Sequence, residues 1–446
     1  MIKTNYMFKK TVFVMLAMAL SWSSFSQSTP ETKQFDVNDL KVIARESVKG
    51  TVSARLFIQG GVNNYPAEHQ GIEELMLTLI SEGGPANMTK EEYQSRMEAI
   101  GARISSSTGY DYGNISLSCI KQYVKPAWEI YSAAVLNPAF RQQDFELVKN
   151  KLITAAKQKK TNPDAHLMDM AMESTWEGTD YEKKPSGTLK SLESITIEEI
   201  KKYHTSVITK EQTFLVFVGD VSADVVRRMV ASSFGNLPDG TEKEWFVAED
   251  GVEKGLKVED RNIETNYITG VFSAPKKGTE ESVHNALAMS ILYDRFFEEL
   301  RTKRSLSYAP QAGSTGYIAR PMNRVYISTT DPEQSLKVMM DLVNSARTKG
   351  YTEKELEGTK QSFLTNYYMG QETNASISMS LGVSEIQNTW KNMDLFTKRV
   401  LSTSLEDINA VMVNYGDEIH WSYLGKEDMV KPKFFTQPDK ARELKK

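Results

Sequence analysis

The chain is built twice, and that constrains its fold more than any other feature. Ser-Thr-Gly-Tyr occupies residues 107–110 and again 314–317, an offset of 207. The run SITIEEI begins at Ser194 and a related run, STSLEDI, at Ser402, an offset of 208. Phe-Val-Gly ends at Gly219 and Tyr-Leu-Gly at Gly425, an offset of 206. Each match alone is weak. Three of them in one order at one period imply a duplicated unit, far longer than a solenoid repeat. A chain of 446 residues has room for two or three domains with cores of ordinary size.

Both units read as α+β. In the first, Val52, Ala54, Leu56 and Ile58 alternate with other residues, which predicts a half-buried strand. Helices follow near 70–82 and 90–100. Thr89 and Glu92 form a capping box for the second of these, and Gly101 follows its end. Strands are expected around 102–108 and 112–120, and long helical stretches over 123–176. Thr196 and Glu199 cap a further helix, FLVFVG is a strand, and a last helix ends near FGNLP. In the second unit NYITGVFSA is a strand, followed by helix over about 279–303 and strands near 305–315 and 322–330. Helices fill most of 333–414, one opened by Thr352 and Glu355, and HWSYLG is the closing strand. Residues 241–264 are charged, contain Gly and show no clear period, so they read as a linker. The expected domains are therefore 33–240 and 265–436. Hairpins separated by blocks of helix predict α+β layers, each a mainly antiparallel sheet with helices packed on it.

The formal net charge of −4 points away from nucleic acid and anionic membrane surfaces as partners. At the N-terminus Lys3, Lys9 and Lys10 precede an apolar run, Thr11 to Leu20, too short to span a bilayer. Small residues around Phe25 then suit cleavage before Gln27. Residues 1–26 thus read as a signal peptide, with an exported chain, periplasmic or secreted, that has no membrane span after its removal. The only cysteine, Cys119, excludes an intrachain disulfide and any Cys-based zinc site.

On a helix from Gly71 to Ile80, Ile72, Leu75, Met76, Leu79 and Ile80 form a core stripe. Glu74, Leu77 and Thr78 share the opposite face, the spacing at which two ligands and a catalytic carboxylate converge on one zinc ion. The stretch GIEELMLT resembles the first long helix of the insulinase/pitrilysin-type zinc peptidases, which carries the inverted motif H-x-x-E-H. The resemblance covers nearly the whole mature chain and includes SGTLKSLESITIEEIKKYH, FLVFVGDVS, FGNLP and TEKELEGTKQSFLTNY. It implies homologous tandem domains in a half-clamshell arrangement. It also implies that the site is degenerate: Glu74 stands for the first His, Leu77 for the general-base Glu and Thr78 for the second His. The stretch expected to supply the third ligand, residues 147–163, contains no carboxylate and several lysines. His69, His166, His204, His284 and His420 are scattered, with no pair at helical ligand spacing. No metal is expected on this chain, and without one there is no activated water.

The segment FFEELRTKRSLSYAP, residues 296–310, resembles the family's second-unit piece that carries an Arg and a Tyr. Arg301 and Tyr308 fall on those positions, with Ser305 where the family has Gly. In the family these two groups reach the zinc site from the opposite half-molecule. A Tyr hydroxyl can donate to a forming oxyanion, and a guanidinium can hold a substrate carbonyl or carboxylate. The alternative is structural: Arg301 favourable at a helix C-terminus, Tyr308 a strand aromatic half in the core. Some family members work as pairs, one chain with the zinc motif and one with the Arg/Tyr pair. The resemblance then implies a silent subunit that binds peptide beside a zinc-bearing homologous partner. A purely structural or peptide-binding role, and a hydrolase with other ligands, stay open.

Overall fold

The computed structural model describes residues 31–241, 248 and 250–435. The signal peptide and part of the linker lie outside them. The first half opens with a hairpin, β1 (Thr32–Val37) and β2 (Leu40–Glu46), and continues into β3 (Thr51–Gln59). Helices α1 (Ile72–Gly83) and α2 (Lys90–Ala99) lead to β4 (Arg103–Thr108) and β5 (Tyr112–Ile120). The helical stretch consists of α3 (Val124–Leu136), α4 (Gln142–Thr161) and α5 (Pro163–Thr175), then α6 (Leu189–Ser194) and α7 (Ile197–Val207). Strand β6 (Thr213–Gly219) and α8 (Ala223–Ala231) end the unit.

The second half has β7 (Gly255–Asp260), β8 (Asn266–Ser273) and α9 (Glu280–Phe296), which continues as a π-helical turn over Phe297–Lys303. Strands β9 (Gln311–Ser314) and β10 (Met322–Thr329) follow. Helices α10 (Pro332–Thr348), α11 (Glu353–Met369), α12 (Asn374–Gln387), α13 (Asn392–Ser402) and α14 (Leu405–Tyr415) then run to β11 (Ile419–Gly425). No helix among the described residues is long and apolar enough to cross a membrane.

The sheets have the orders β1-β2-β6-β3-β5-β4 and β7-β11-β8-β10-β9. Without β1 they have one topology. β2 and β6 are parallel, as are β7 and β11, and all other pairs are antiparallel. The duplicated α+β architecture is therefore present in the fold.

Three details differ from the sequence reading. Residues 255–260 are not linker but the edge strand β7, so the second unit begins earlier than 265. GLKVED has two apolar residues and an exposed face, which leaves no periodic signal. The β1–β2 hairpin was not anticipated, although Asn38 and Asp39, at φ 50° and 68°, make the two-residue turn such hairpins favour. The strand expected from 305 begins only at Gln311.

The alternating set on β3 packs against the first unit's own helices: Val52, Ala54, Leu56 and Ile58 share a core with Leu75, Leu79 and Trp128. The strand is nonetheless buried on both faces, not one. Phe57, Phe214, Val216 and Val218 form a second layer with Ile377 and Leu381 of α12, which belongs to the other half. The exchange is mutual. Helix α5 of the first half packs on β8 and β11, and its Leu167 and Met170 join Leu424 of β11 and Tyr326 of the neighbouring β10. Polar bonds fix both helices: Ser53 Oγ lies 3.0 Å from Ser378 Oγ, Asn374 Nδ2 donates to Thr51 O at 2.8 Å, and His420 Nε2 lies 3.0 Å from Ser174 Oγ.

At Gly382 on α12 a Cβ would overlap the Phe57 ring. Helix propensity alone favours Ala over Gly by about 1 kcal/mol, whereas overpacking a closed core costs about 1–3 kcal/mol. Gly382→Ala is therefore expected to destabilise the chain by about 1 kcal/mol or more. Urea unfolding midpoints of the two proteins check the sign.

Candidate functional site

Gly71, at φ 89°, starts α1 and lies against Gly187, whose Cα would be 2.8 Å from an added Cβ. The close approach holds the helix start on the loop before α6. The core stripe is buried as expected: Ile72, Leu75, Met76, Leu79 and Ile80 are each at most 2% exposed. Glu73 is also fully buried. It accepts hydrogen bonds from Thr108 Oγ1 at 2.6 Å and Tyr203 OH at 2.7 Å.

Glu74, Leu77 and Thr78 meet, as their spacing requires, in the wall of one cavity of about 490 Å³. Ser106 to Tyr110 form another wall, and Lys159, Met168, Asp169, Pro185, Ser186 and Tyr317 complete it. Lys159 Nζ pairs with Asp169 Oδ1 at 2.7 Å. Burial pushes the Glu74 carboxyl above the usual carboxylate range, an effect that Lys159 and Lys151 oppose.

The residues present do not suit zinc. One carboxylate, the leucine methyls of Leu77 and the Thr78 hydroxyl replace two imidazoles and an acid, and an ammonium, Lys159, lies in the wall. Among the described residues no three His, Cys, Asp or Glu side chains form a group able to hold a metal ion. The histidines that form hydrogen bonds or ion pairs do so with separate partners. His69 pairs with Glu199 and His166 with Glu259, while His204 Nε2 donates to Val135 O.

Tyr317 belongs to the second half. Its ring meets that of Tyr110 edge-on, with centroids 4.9 Å apart. The two tyrosines of the repeated STGY thus touch each other across the join between units. Asp111, 3% exposed, fixes the crossing segment by accepting from the backbone N–H groups of Ile318 at 3.0 Å and Ala319 at 2.8 Å. Sequence reasoning found the repeat but not this meeting, and it missed Asp169 altogether.

Arg301 and Tyr308 are also brought together, outside the cavity wall. The Arg301 guanidinium carbon lies 4.3 Å from the Tyr308 ring centroid and 4.6 Å from that of Phe297. Tyr308 is 80% exposed and lies in no strand, so it is not the half-core aromatic of the structural alternative. Ser305 keeps the turn expected of a Gly. It sits at φ 52°, with its N–H donating to Arg301 O at 3.1 Å and that of Leu306 to Leu300 O at 2.8 Å. A non-Gly residue in this left-handed conformation costs about 1 kcal/mol. Ser305→Gly is therefore expected to raise stability by up to about 1 kcal/mol, measurable as a higher melting temperature.

The comparisons with known proteins agree with this geometry. Residues 41–188 match the family described as Insulinase (Peptidase family M16), and residues 194–363 match the Peptidase M16 inactive domain. A non-peptidase homolog, YmxG, from Helicobacter pylori is 22% identical over 334 residues, 72% of this chain and 76% of its own length. The mitochondrial-processing peptidase subunit beta of Dictyostelium discoideum is 19% identical over 215 residues, 48% of this chain and 46% of its own. The crystal structure of a peptidase M16 inactive domain from Pseudomonas fluorescens superposes with a TM-score of 0.82 at 20% identity, covering 90% of this chain and 99% of that one. This chain belongs to the insulinase family of peptidases, family M16, as a member that lacks the zinc motif.

Proposed function

We propose that this chain is the non-catalytic subunit of a two-chain zinc peptidase, exported to the periplasm or beyond. It binds peptide or unfolded polypeptide together with a homologous subunit that carries the zinc motif. The observation that carries this reading is the exposed Tyr308 stacked on the half-buried Arg301, on a chain whose own cleft holds Leu77 and Thr78. A phenol left exposed on a guanidinium suits contacts to something outside the chain. In the partner's site Tyr308 would donate to the oxyanion and Arg301 would hold a substrate carbonyl. A processing-peptidase subunit among the relatives supports a paired arrangement.

The test is to purify the chain with a zinc-bearing homologue and follow peptide hydrolysis. The chain alone is expected to be inert. In the complex, Arg301→Ala and Tyr308→Phe are each expected to lower kcat/KM by about 10²–10³, the range for lost oxyanion donors. A complex indifferent to both changes would assign the chain a structural role instead. Stoichiometric zinc with peptide cleavage by the lone chain would make it an autonomous enzyme. The mature chain is expected to begin at Gln27, which N-terminal sequencing of exported material checks.

A further inference from the structure

We propose that Phe297 is a positioning residue for Arg301: its ring holds the guanidinium in the place from which that side chain meets a bound peptide. The inference rests on the paired-subunit reading for what Arg301 does. What Phe297 does follows from the geometry of one helical turn.

Arg301 is not tied down by an acid. Among the described residues no carboxylate or carbonyl accepts a hydrogen bond from its guanidinium. The acids nearest in sequence are engaged elsewhere. Glu299 pairs with Lys303 at 2.8 Å and with Arg304, and Glu298 lies 3.6 Å from Lys303. What the guanidinium does meet is two ring faces, with its carbon 4.6 Å from the Phe297 centroid and 4.3 Å from that of Tyr308. A ring face attracts the flat cation and leaves its in-plane N–H groups free to bind something else.

The two rings are not equal supports. Tyr308 is 80% exposed and lies in no helix or strand. Phe297 opens the same π-helical turn that carries Arg301, four residues before it. Side chains at that spacing are neighbours on a helix, and a group held by a helix is placed more precisely than one on a loop. Turns of this kind are rare and are frequent at functional sites.

Phe297 is not there for the core. Its neighbours Phe296 and Leu300 are fully buried in the core of the second unit. Phe297 is only half-buried and, among the described residues, is no part of that core. Its ring meets Arg301 on one hand and Tyr293 on the other, a turn earlier on α9, with ring centroids 6.1 Å apart. Tyr293, Phe297, Arg301 and Tyr308 thus form one column. A long side chain without such support loses rotamer freedom at the moment of binding, which weakens the contact. The column removes much of that loss beforehand.

The test is peptide hydrolysis by the complex with a zinc-bearing homologue, comparing Phe297→Leu, Phe297→Tyr, Arg301→Ala and the double variant Phe297→Leu/Arg301→Ala. Leucine keeps apolar bulk but has no ring face. Phe297→Leu is expected to lower kcat/KM about threefold to thirtyfold, the range of one cation–π contact, through whichever of kcat and KM Arg301→Ala moves. Phe297→Tyr is expected to keep the parent value. With Arg301→Ala already present, Phe297→Leu is expected to add nothing, because the two residues act as a unit. Full activity with leucine, an equal loss with tyrosine, or a loss that persists in the Arg301→Ala background overturns the proposal. Should Phe297→Leu not fold, the Arg301 Nε–H resonance of the Tyr308→Ala chain decides: an upfield, ring-shifted signal supports the contact and an unshifted one overturns it. If Arg301→Ala lowers activity and Phe297→Leu does not, this inference alone fails. If Arg301→Ala is silent, the paired-subunit reading fails and this inference falls with it.

Discussion

Each sheet has two faces to dry, and one half of the chain can cover only one of them. The first unit's helices close one face of the first sheet through Leu75, Leu79 and Trp128. The other face, with Phe57, Phe214 and Val216, is closed by α12 from the second unit. The second sheet depends on α5 in the same way. An aromatic or aliphatic side chain contributes about 1.5–3 kcal/mol on full burial, so several of them left wet would exceed a typical margin of stability. The two units are thus one cooperative body, joined by exchanged helices and not by the stretch of chain between them.

That exchange also builds the cleft. Helix α5 reaches the second sheet and, on the way, places Met168 and Asp169 in the cavity wall. Asp111 pins the segment that carries Tyr317 against Tyr110. The framework around the cleft is therefore held by contacts among the chain's own residues. Glu73 shows the distinction well. One residue before the altered positions, it remains a buried bridge between α1, β4 and α7. The cleft wall now combines Leu77 and Thr78 with a Lys159–Asp169 ion pair.

Much of this was legible in the residues. The capping boxes at Thr89, Thr196 and Thr352 are present with both bonds, because capping is local chemistry. The α1 stripe and the convergence of Glu74, Leu77 and Thr78 follow from helical spacing alone. The edge strand β7 was not legible, since it pairs on one side only and has no apolar rhythm to betray it. Nor was the two-sided burial of β3: Ser53 and Arg55 look like solvent-facing residues until α12 arrives. The contact of Tyr110 with Tyr317 was visible only as a repeated word. No local rule states that two copies of a motif will touch; that follows from the near-symmetric packing of the two units.

The distance in sequence between β3 and α12 has a consequence for biosynthesis. A ribosome adds about 5–20 residues per second. The aromatic layer on the first sheet therefore has no cover for on the order of ten seconds after its strands are made. During that interval Phe57 and Phe214 form a sticky surface on a nascent chain, open to any passing apolar partner. The fold that makes the finished protein a single unit also makes its N-terminal portion a client for chaperones until residue 387 has emerged.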